Sequence, residues 1–217
     1  MHANTITSHP LLPLYATTNN RGIVSIWSYE SDTKKSIHDY CLEPISKDSM
    51  NKTKLIKKIK FNSYGNEFLT IDDTGNLALF SFTHDKDNKL PFNNLVNNLT
   101  KGAKDAIFLN NSGIIGTTTL KNSQNNSSTI LWDLLMPYGN NSINEIEIGG
   151  NIINSVSSNS TLLIANDKPG NISFIDIRKM NVVSSFQAHL DEIKSLKISE
   201  RENFLTTLGK GIFYLFK

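Results

Sequence analysis

The side chains that could carry chemistry are few, and they are spread along the chain. Five histidines stand singly between strand-like runs: His2, His9, His38, His84 and His189. A metal site needs His, Cys or carboxylate groups that converge at suitable spacing, and these residues do not show it. Asp72 and Asp73 could form an acid–base pair, but neighbouring residues of a strand point to opposite faces. We therefore expect no metal, no cofactor and no catalytic residue.

Motifs for nucleotide binding and for serine hydrolysis are also missing. Gly149-Gly150-Asn151 falls between two predicted strands, so it indicates a turn or a bulge and not a phosphate-binding loop that opens a helix. No Gly-x-Ser-x-Gly sequence occurs. The net charge of +2 is too small to attract nucleic acid or an anionic membrane. The sequence predicts a protein that is not an enzyme and does not bind nucleic acid.

One basic run stands out electrostatically. Its members are Lys52, Lys54, Lys57, Lys58 and Lys60. They could meet an acidic partner or a lipid headgroup. Leu55, Ile56, Ile59 and Phe61 interleave with them, however, as in an inner strand whose lysines deter edge-to-edge pairing. The second interpretation is favoured.

The elements that would position these residues repeat along the chain. Five strand-like runs open on Gly or Ser and close on a large hydrophobe, as in Gly22-Ile-Val-Ser-Ile-Trp27. The closing positions, called anchors here, are Trp27, Phe80, Trp132, Ile175 and Phe216, spaced by 53, 52, 43 and 41 residues. A period near about 40–45 residues with a Trp-Asp-like end is typical of a propeller with one repeat per four-stranded blade. We predict an all-β, WD40-type β-propeller with five recognisable blades.

The repeats predict one domain over residues 1–217. Their approximate bounds are 1–36, 37–90, 91–142, 143–180 and 181–217. The third strands at 174–177 and 212–216 are apolar almost without alternation, which predicts cover on both faces. A polar stretch, 85–89, stands where the second repeat needs an outer strand, and nothing after Phe216 supplies one for the fifth. The ring is expected to be incomplete, or a fragment of a larger propeller.

A few polar residues match the brace that joins good repeats of this type. His189 precedes an inner strand, Asp73 and Asp167 stand in tight turns, and Asn20 takes that place in the first repeat. Such residues form a hydrogen-bonded network with Ser or Thr and with the Trp. We interpret them, together with the anchors, as structural residues.

The sequence also indicates a compartment. A single cysteine, Cys41, excludes an internal disulfide and suggests a reducing environment, and packing is its simplest role. The start of the chain lacks a signal peptide. No run approaches the roughly 20 apolar residues of a membrane span. We expect a cytoplasmic protein.

Longer stretches resemble one family collinearly over nearly the whole chain. The most distinctive is His9-Pro-Leu-Leu-Pro-Leu-Tyr15. Others are Asn20-Arg-Gly-Ile-Val-Ser-Ile-Trp27, Ile59-Lys-Phe-Asn-Ser-Tyr-Gly-Asn-Glu-Phe68, Lys104-Asp-Ala-Ile-Phe108, Leu131-Trp-Asp-Leu-Leu135, Gly170-Asn-Ile-Ser-Phe-Ile-Asp-Ile-Arg178 and Phe186-Gln-Ala-His189. These resemble the C-terminal propeller of the DmX-like family, which includes rabconnectin-3α and the fungal regulator subunit of the RAVE complex. Members are very large, and the family pattern would carry one further repeat.

The resemblance implies a non-catalytic scaffold. The family helps the peripheral and membrane sectors of the vacuolar-type proton ATPase to join, which acidifies vacuoles and endosomes. The implied partners are other RAVE-type subunits and the peripheral V-ATPase sector, with the protein peripheral at vacuolar or endosomal membranes. Blade-top loops at 8–13, 121–127 and 137–141 are candidate contact surfaces. The alternatives are a generic WD40 adaptor for another trafficking or signalling complex, an enzyme built on a propeller, and a fragment that does not fold alone.

Overall fold

A computed structural model describes residues 3–30, 32–42, 53–83, 92–96, 99–100, 102–109, 113–121, 126–136, 142–148, 152–156, 161–165, 170–199 and 204–216. All regular secondary structure in these residues is β-strand, and the strands form five antiparallel sheets. The predicted all-β fold is confirmed. The chain divides into two compact units, Met1–Lys101 and Gly102–Lys217.

The first unit contains two four-stranded sheets, each with its strands in chain order. The first sheet consists of β1 (Ala3–Ser8), β2 (Leu14–Asn19), β3 (Val24–Glu30) and β4 (Lys35–Leu42). The second consists of β5 (Ile56–Phe61), β6 (Glu67–Asp72), β7 (Leu77–Phe82) and β8 (Phe92–Val96). Each sheet is thus one blade of the predicted kind.

The second unit contains three sheets. Two have four strands: β9 (Ala103–Leu109), β10 (Ile114–Lys121), β11 (Asn126–Asp133) and β12 (Ser142–Ile146), then β13 (Ile152–Val156), β14 (Thr161–Ala165), β15 (Asn171–Asp176) and β16 (Asn181–Gln187). The third has three strands among the described residues: β17 (Ser195–Ser199), β18 (Phe204–Leu208) and β19 (Phe213–Phe216). The fifth blade therefore has no fourth strand in the part of the chain that is described.

The anchor marks a β-bulge in every four-stranded sheet. Pairing between the third and fourth strands shifts register between Ile26 and Trp27, Leu79 and Phe80, Leu131 and Trp132, and Phe174 and Ile175. An extra residue on the fourth strand lies opposite each shift. A bulge at this point bends the outer strand and increases its twist. The large anchor side chain thus sits at the same structural position in all four sheets.

Apolar clusters join neighbouring sheets inside each unit. In the first unit, Ile26 of the first sheet packs in one cluster with Phe68 and Phe80 of the second. In the second unit, Leu131 and Ile175 share a cluster, as do Ile172 and Leu196. Fully buried side chains of this size each stabilise the fold by about 1.5–3 kcal/mol. The blades are held together mainly by this face-to-face packing.

Three expectations from the sequence need correction. Strand β8 forms the outer strand of the second sheet and was not predicted, because Phe92–Val96 is short and carries two asparagines. Strand β19 is not covered on both faces: Phe213 is 64% and Leu215 58% exposed, and β19 is the last strand of its sheet among the described residues. Cys41 is exposed and does not pack in the core.

Candidate interaction surface

Both tryptophan anchors are fixed by the same hydrogen bond. The indole Nε1 of Trp27 donates to Oγ1 of Thr17 at 2.9 Å, and that of Trp132 donates to Oγ1 of Thr117 at 2.8 Å. On the second strand of each sheet, Tyr15 pairs with Trp27 and Ile115 pairs with Trp132. Each threonine follows that partner by two residues. The half-buried indole therefore keeps its polar N–H satisfied while its ring packs. These threonines were missed from the sequence, although their fixed register to the anchor could have revealed them.

The other three anchors act through apolar packing. Phe80 is buried and stacks on Phe68 with ring centroids 5.2 Å apart. Ile175 is fully buried, and Phe216 meets the edge of Phe186 at 5.2 Å. None of these side chains has a hydrogen-bond donor. A large hydrophobe is what the anchor positions share, and in these three sheets it packs among other apolar side chains.

His189 links the fourth and fifth sheets inside the second unit. Its Nε2 and Oγ1 of Thr207 on β18 are hydrogen-bonded at 2.8 Å, and its ring lies 4.8 Å from that of Tyr214 on β19. A side chain at Gly209 would clash with the ring, and one at Gly170 would clash with the backbone oxygen of His189. The histidine is thus clamped between elements of two blades, as a brace residue would be.

The turn carboxylate of the second sheet belongs to Asp72 and not to Asp73, the predicted residue. Oδ1 of Asp72 accepts from the Thr74 and Asn76 N–H groups at 2.9 Å each and from the Thr74 hydroxyl at 2.6 Å. Asp73 is exposed. The difference arises because the residue that ends the second strand, and not the next one, has its side chain directed across the turn.

The first sheet shows the same displacement by one residue. Asn19, at the end of β2, accepts from the N–H groups of Arg21 and Ile23 at 2.8 and 3.2 Å, whereas Asn20 was predicted for this place. Asn19 and Asp72 therefore hold equivalent turns, each from the last residue of a second strand. Asp167, the remaining predicted turn residue, lies outside the described residues, so its role stays a prediction.

Asp72 also meets a positive charge. Its Oδ2 lies 3.4 Å from Nζ of Lys54, and both side chains are largely buried. Burial raises the pKa of Asp72, but the Thr74 hydroxyl, the Asn76 backbone N–H and the Lys54 charge outweigh it. The net pKa lies below the usual value, so the charged carboxylate is favoured in the folded chain.

The basic run follows the inner strand of the second sheet. Lys54 contacts Asp72 and Thr74, and Lys58 and Lys60 are half-buried within β5. Only Lys57 is exposed among the described members, and Lys52 lies outside the described residues. This placement agrees with a strand role for the run.

His9 makes a buried contact that was not predicted from the sequence. Its Nδ1 accepts from the backbone N–H groups of Leu11 and Leu12 at 3.1 and 3.0 Å. Since a backbone N–H can only donate, Nδ1 carries no proton, and Nε2 donates to the carbonyl oxygen of Gly65 at 3.1 Å. The ring also lies 5.1 Å from that of Phe61. His9 thereby holds the β1–β2 loop of the first sheet against the β5–β6 turn of the second.

The exposed features available for contact fall into three groups. The loop 8–13 presents Leu11 and Leu12, the former 68% exposed. The bulged residues of three outer strands, Leu95, Ile143 and Val183, are also exposed and apolar. Strand β19 presents a third apolar edge. Residues 122–125 and 137–141, in the other two predicted loops, lie outside the described residues.

In the described part of the chain, no group of three or more His, Cys, Asp or Glu side chains comes together as metal ligands would. The described residues also contain no helix with the length and apolar character needed to cross a membrane.

No protein-family model matches the sequence. The chain is 26% identical over 209 residues to DmX-like protein 1 of Mus musculus, and 24% identical over 209 residues to the Homo sapiens protein of that name. Each alignment covers 93% of this chain but 6% of the relative, so the chain spans a small part of their length. The WD repeat-containing protein 91 homolog of Dictyostelium discoideum is 31% identical over 102 residues, 46% of this chain and 13% of that protein.

The fold has a counterpart among solved structures. The crystal structure of the C-terminal WD40 domain of Sif2 superposes with a TM-score of 0.70 at 16% identity. The match covers 98% of this chain and 56% of that one. At this identity the likeness concerns the fold alone, and it confirms the predicted WD40-type β-propeller. Five blades, one of them three-stranded among the described residues, fit an incomplete propeller.

Proposed function

We propose that this chain is a WD-repeat propeller of the DmX-like family and a non-catalytic scaffold that promotes assembly of the vacuolar-type proton ATPase. WD-repeat propellers of this kind typically bind protein partners through a rigid frame of blades. The proposed partners are RAVE-type subunits and the peripheral V-ATPase sector. The protein would act in the cytoplasm and at the surface of vacuoles or endosomes.

The observation that carries the proposal is the alignment with DmX-like protein 1 over 93% of the chain. It is supported by the contact between His9 and Gly65, because both residues belong to segments that carry the resemblance. His9 and Gly65 are 56 residues apart in the chain, and the two segments meet through their buried hydrogen bond. Two segments that each resemble the DmX-like family, in the same order along the chain, are thus also in contact in the fold.

The proposal is tested by vacuolar pH in a strain that lacks the full-length gene. We expect the lumen to be less acidic than in the parent strain, with acidity restored by the intact gene. A version lacking the segment of these 217 residues is expected not to restore it. Normal acidification in the deletion strain would refute the proposal.

A second candidate function is that of an adaptor in another trafficking or signalling complex. The 31% identity to the WD repeat-containing protein 91 homolog over 102 residues favours it. The two candidates share a fold and differ in partner. Purification of the full-length protein with a coat, ligase or kinase complex, and without proton-pump subunits, would favour this alternative.

A further inference from the structure

A groove of about 490 Å³ runs along the first sheet, beside the β1–β2 loop. We call it the blade-1 groove and define it by Leu12, Pro13, Tyr29, Ile37, Asp39 and Tyr40. Leu12, Tyr29 and Ile37 are exposed large apolar or aromatic side chains. Its walls can therefore receive the aliphatic part of a ligand.

Asp39 occupies a position that is apolar in the other complete sheets. The register shift at Ile26 and Trp27 makes Asp39 the extra residue of the bulge, between His38 and Tyr40. The corresponding extra residues are Leu95, Ile143 and Val183, all exposed hydrophobes. Among the described bulges, the first sheet alone places a carboxylate at this point.

The Asp39 carboxylate is only half satisfied. Its Oδ1 accepts from the Ser28 hydroxyl at 3.2 Å, while its buried Oδ2 has no hydrogen-bond partner. A carboxylate oxygen left in this state is costly, because burial removes water without supplying a donor. A ligand that brings an N–H donor and a positive charge into the groove would remove that cost once the Asp39 side chain turns Oδ2 toward it.

The charge of the groove favours the same ligand. Glu30 also lines it, and no lysine or arginine is found among its described lining residues. A Lys or Arg side chain has the matching form, with an apolar stem and a cationic head that donates hydrogen bonds. Anions and wholly apolar side chains would leave Oδ2 without a donor.

We propose that the blade-1 groove binds a Lys or Arg side chain presented by an extended segment of a partner protein. The Asp39 side chain turns to present Oδ2 to the cationic head, and the stem lies along Leu12, Tyr29 and Ile37. Glu30 adds to the negative potential at the rim. Neither the surface nor its class of ligand depends on which complex the chain joins.

The test is a selection of random peptides displayed on phage against the full 217-residue chain. With the wild type, we expect Lys or Arg to be enriched at one position of the selected peptides. Asp32→Asn is the matched control, because it removes one negative charge from the exposed turn before β4, and it should keep the same enrichment. With Asp39→Asn the enrichment should disappear. Circular dichroism and thermal melting check that each variant is folded.

A selected peptide then gives the strength of the contact. We expect Asp39→Asn to weaken its binding by about tenfold to a hundredfold, as for loss of a hydrogen bond to a charged group. Replacing the basic residue of the peptide by norleucine should weaken binding equally. Asp39→Leu is a second variant, which places at this bulge the leucine that the second sheet has at Leu95. The preference for a basic residue should be lost in it as well. Selection without basic enrichment, or enrichment kept in both Asp39 variants, would overturn the proposal.

Discussion

The ring of His9 fills the space that a side chain at residue 65 would need, and its Nε2 donates to the Gly65 carbonyl oxygen at 3.1 Å. Gly65 has a φ of 76°, in the left-handed region that favours glycine. The two residues thus require each other: the histidine needs a glycine beneath it, and the loop that it closes packs on that glycine.

Gly65→Ala should therefore be strongly destabilising. The added methyl group displaces the His9 ring, and we expect a loss of about 2–5 kcal/mol, the sum of left-handed strain and overpacking. Gly211→Ala is the matched control, since Gly211 has a φ of 78° with no atom within 4 Å of its hypothetical Cβ. It should lose only about 1–2 kcal/mol. Urea unfolding curves measure both, and equal losses would contradict the contact.

The tryptophan brace predicts a difference between equivalent threonines. Thr117→Val removes the acceptor of the Trp132 indole N–H and should cost about 1–2 kcal/mol, because that donor is left unsatisfied in a half-buried site. Thr17→Val should behave alike through Trp27.

Thr70→Val is the internal control for these two variants. Thr70 has the same register to its anchor, but that anchor is Phe80, which has no N–H group. We expect a smaller loss of unfolding free energy than at Thr17 or Thr117. Similar losses at all three threonines would show that the indole bond is not what stabilises the blades.

The turn at Asp72 predicts a pH-dependent stability. Its pKa is lower in the folded chain than the ordinary 3.8, so its stabilising effect is complete above that pH. The effect is lost as the pH falls through the lower folded pKa. Asp72→Asn should lower the melting temperature at pH 7 by about 2–4 °C, equivalent to about 1 kcal/mol in a domain of this size.

The difference between wild type and Asp72→Asn should shrink when the pH falls below 3.8. Asp73→Asn, at the exposed neighbouring carboxylate, should leave the melting temperature at pH 7 nearly unchanged. Calorimetric melts from pH 7 to pH 3 decide the matter. A larger effect at Asp73 than at Asp72 would show that Asp73, the residue predicted from the sequence, stabilises the turn.

Strand β19 predicts self-association. Its exposed apolar side chains, and an edge that pairs with no further strand among the described residues, form a template for strand pairing between molecules. Phe213→Lys should reduce concentration-dependent association, measured by light scattering, and should change the melting temperature little because Phe213 is mostly exposed. Leu135→Lys is a matched charge control in the turn after β11, where Leu135 is 83% exposed. Equal solubility gains from both variants would indicate a general charge effect.

The repeated strands and their anchors were predictable from the sequence because they depend on local pattern. The glycine that opens most of the motifs is explained by the turn that it forms, as at Gly75 with its φ of 78°. The turn residues were displaced by one position, from Asn20 to Asn19 and from Asp73 to Asp72. Composition identifies a tight turn, but the direction of each side chain depends on where the preceding strand ends.

Contacts between distant residues could not be predicted in this way. His9 and Gly65 are separated by 56 residues, and His189 meets Thr207 only after two sheets have packed together. The carboxylate of Asp39 was equally hidden, since its position depends on a register shift between β3 and β4. Thr17 and Thr117 are an intermediate case. Their contact with the tryptophan could have been predicted, because the threonine has the same register to the anchor in both sheets.

The most direct test of the account is affinity purification of the tagged full-length protein, followed by identification of its partners. We predict that peripheral-sector subunits of the V-ATPase co-purify with the wild type, and that they are lost when the segment of these 217 residues is deleted. Recovery of a coat, ligase or kinase complex without any proton-pump subunit would contradict the account.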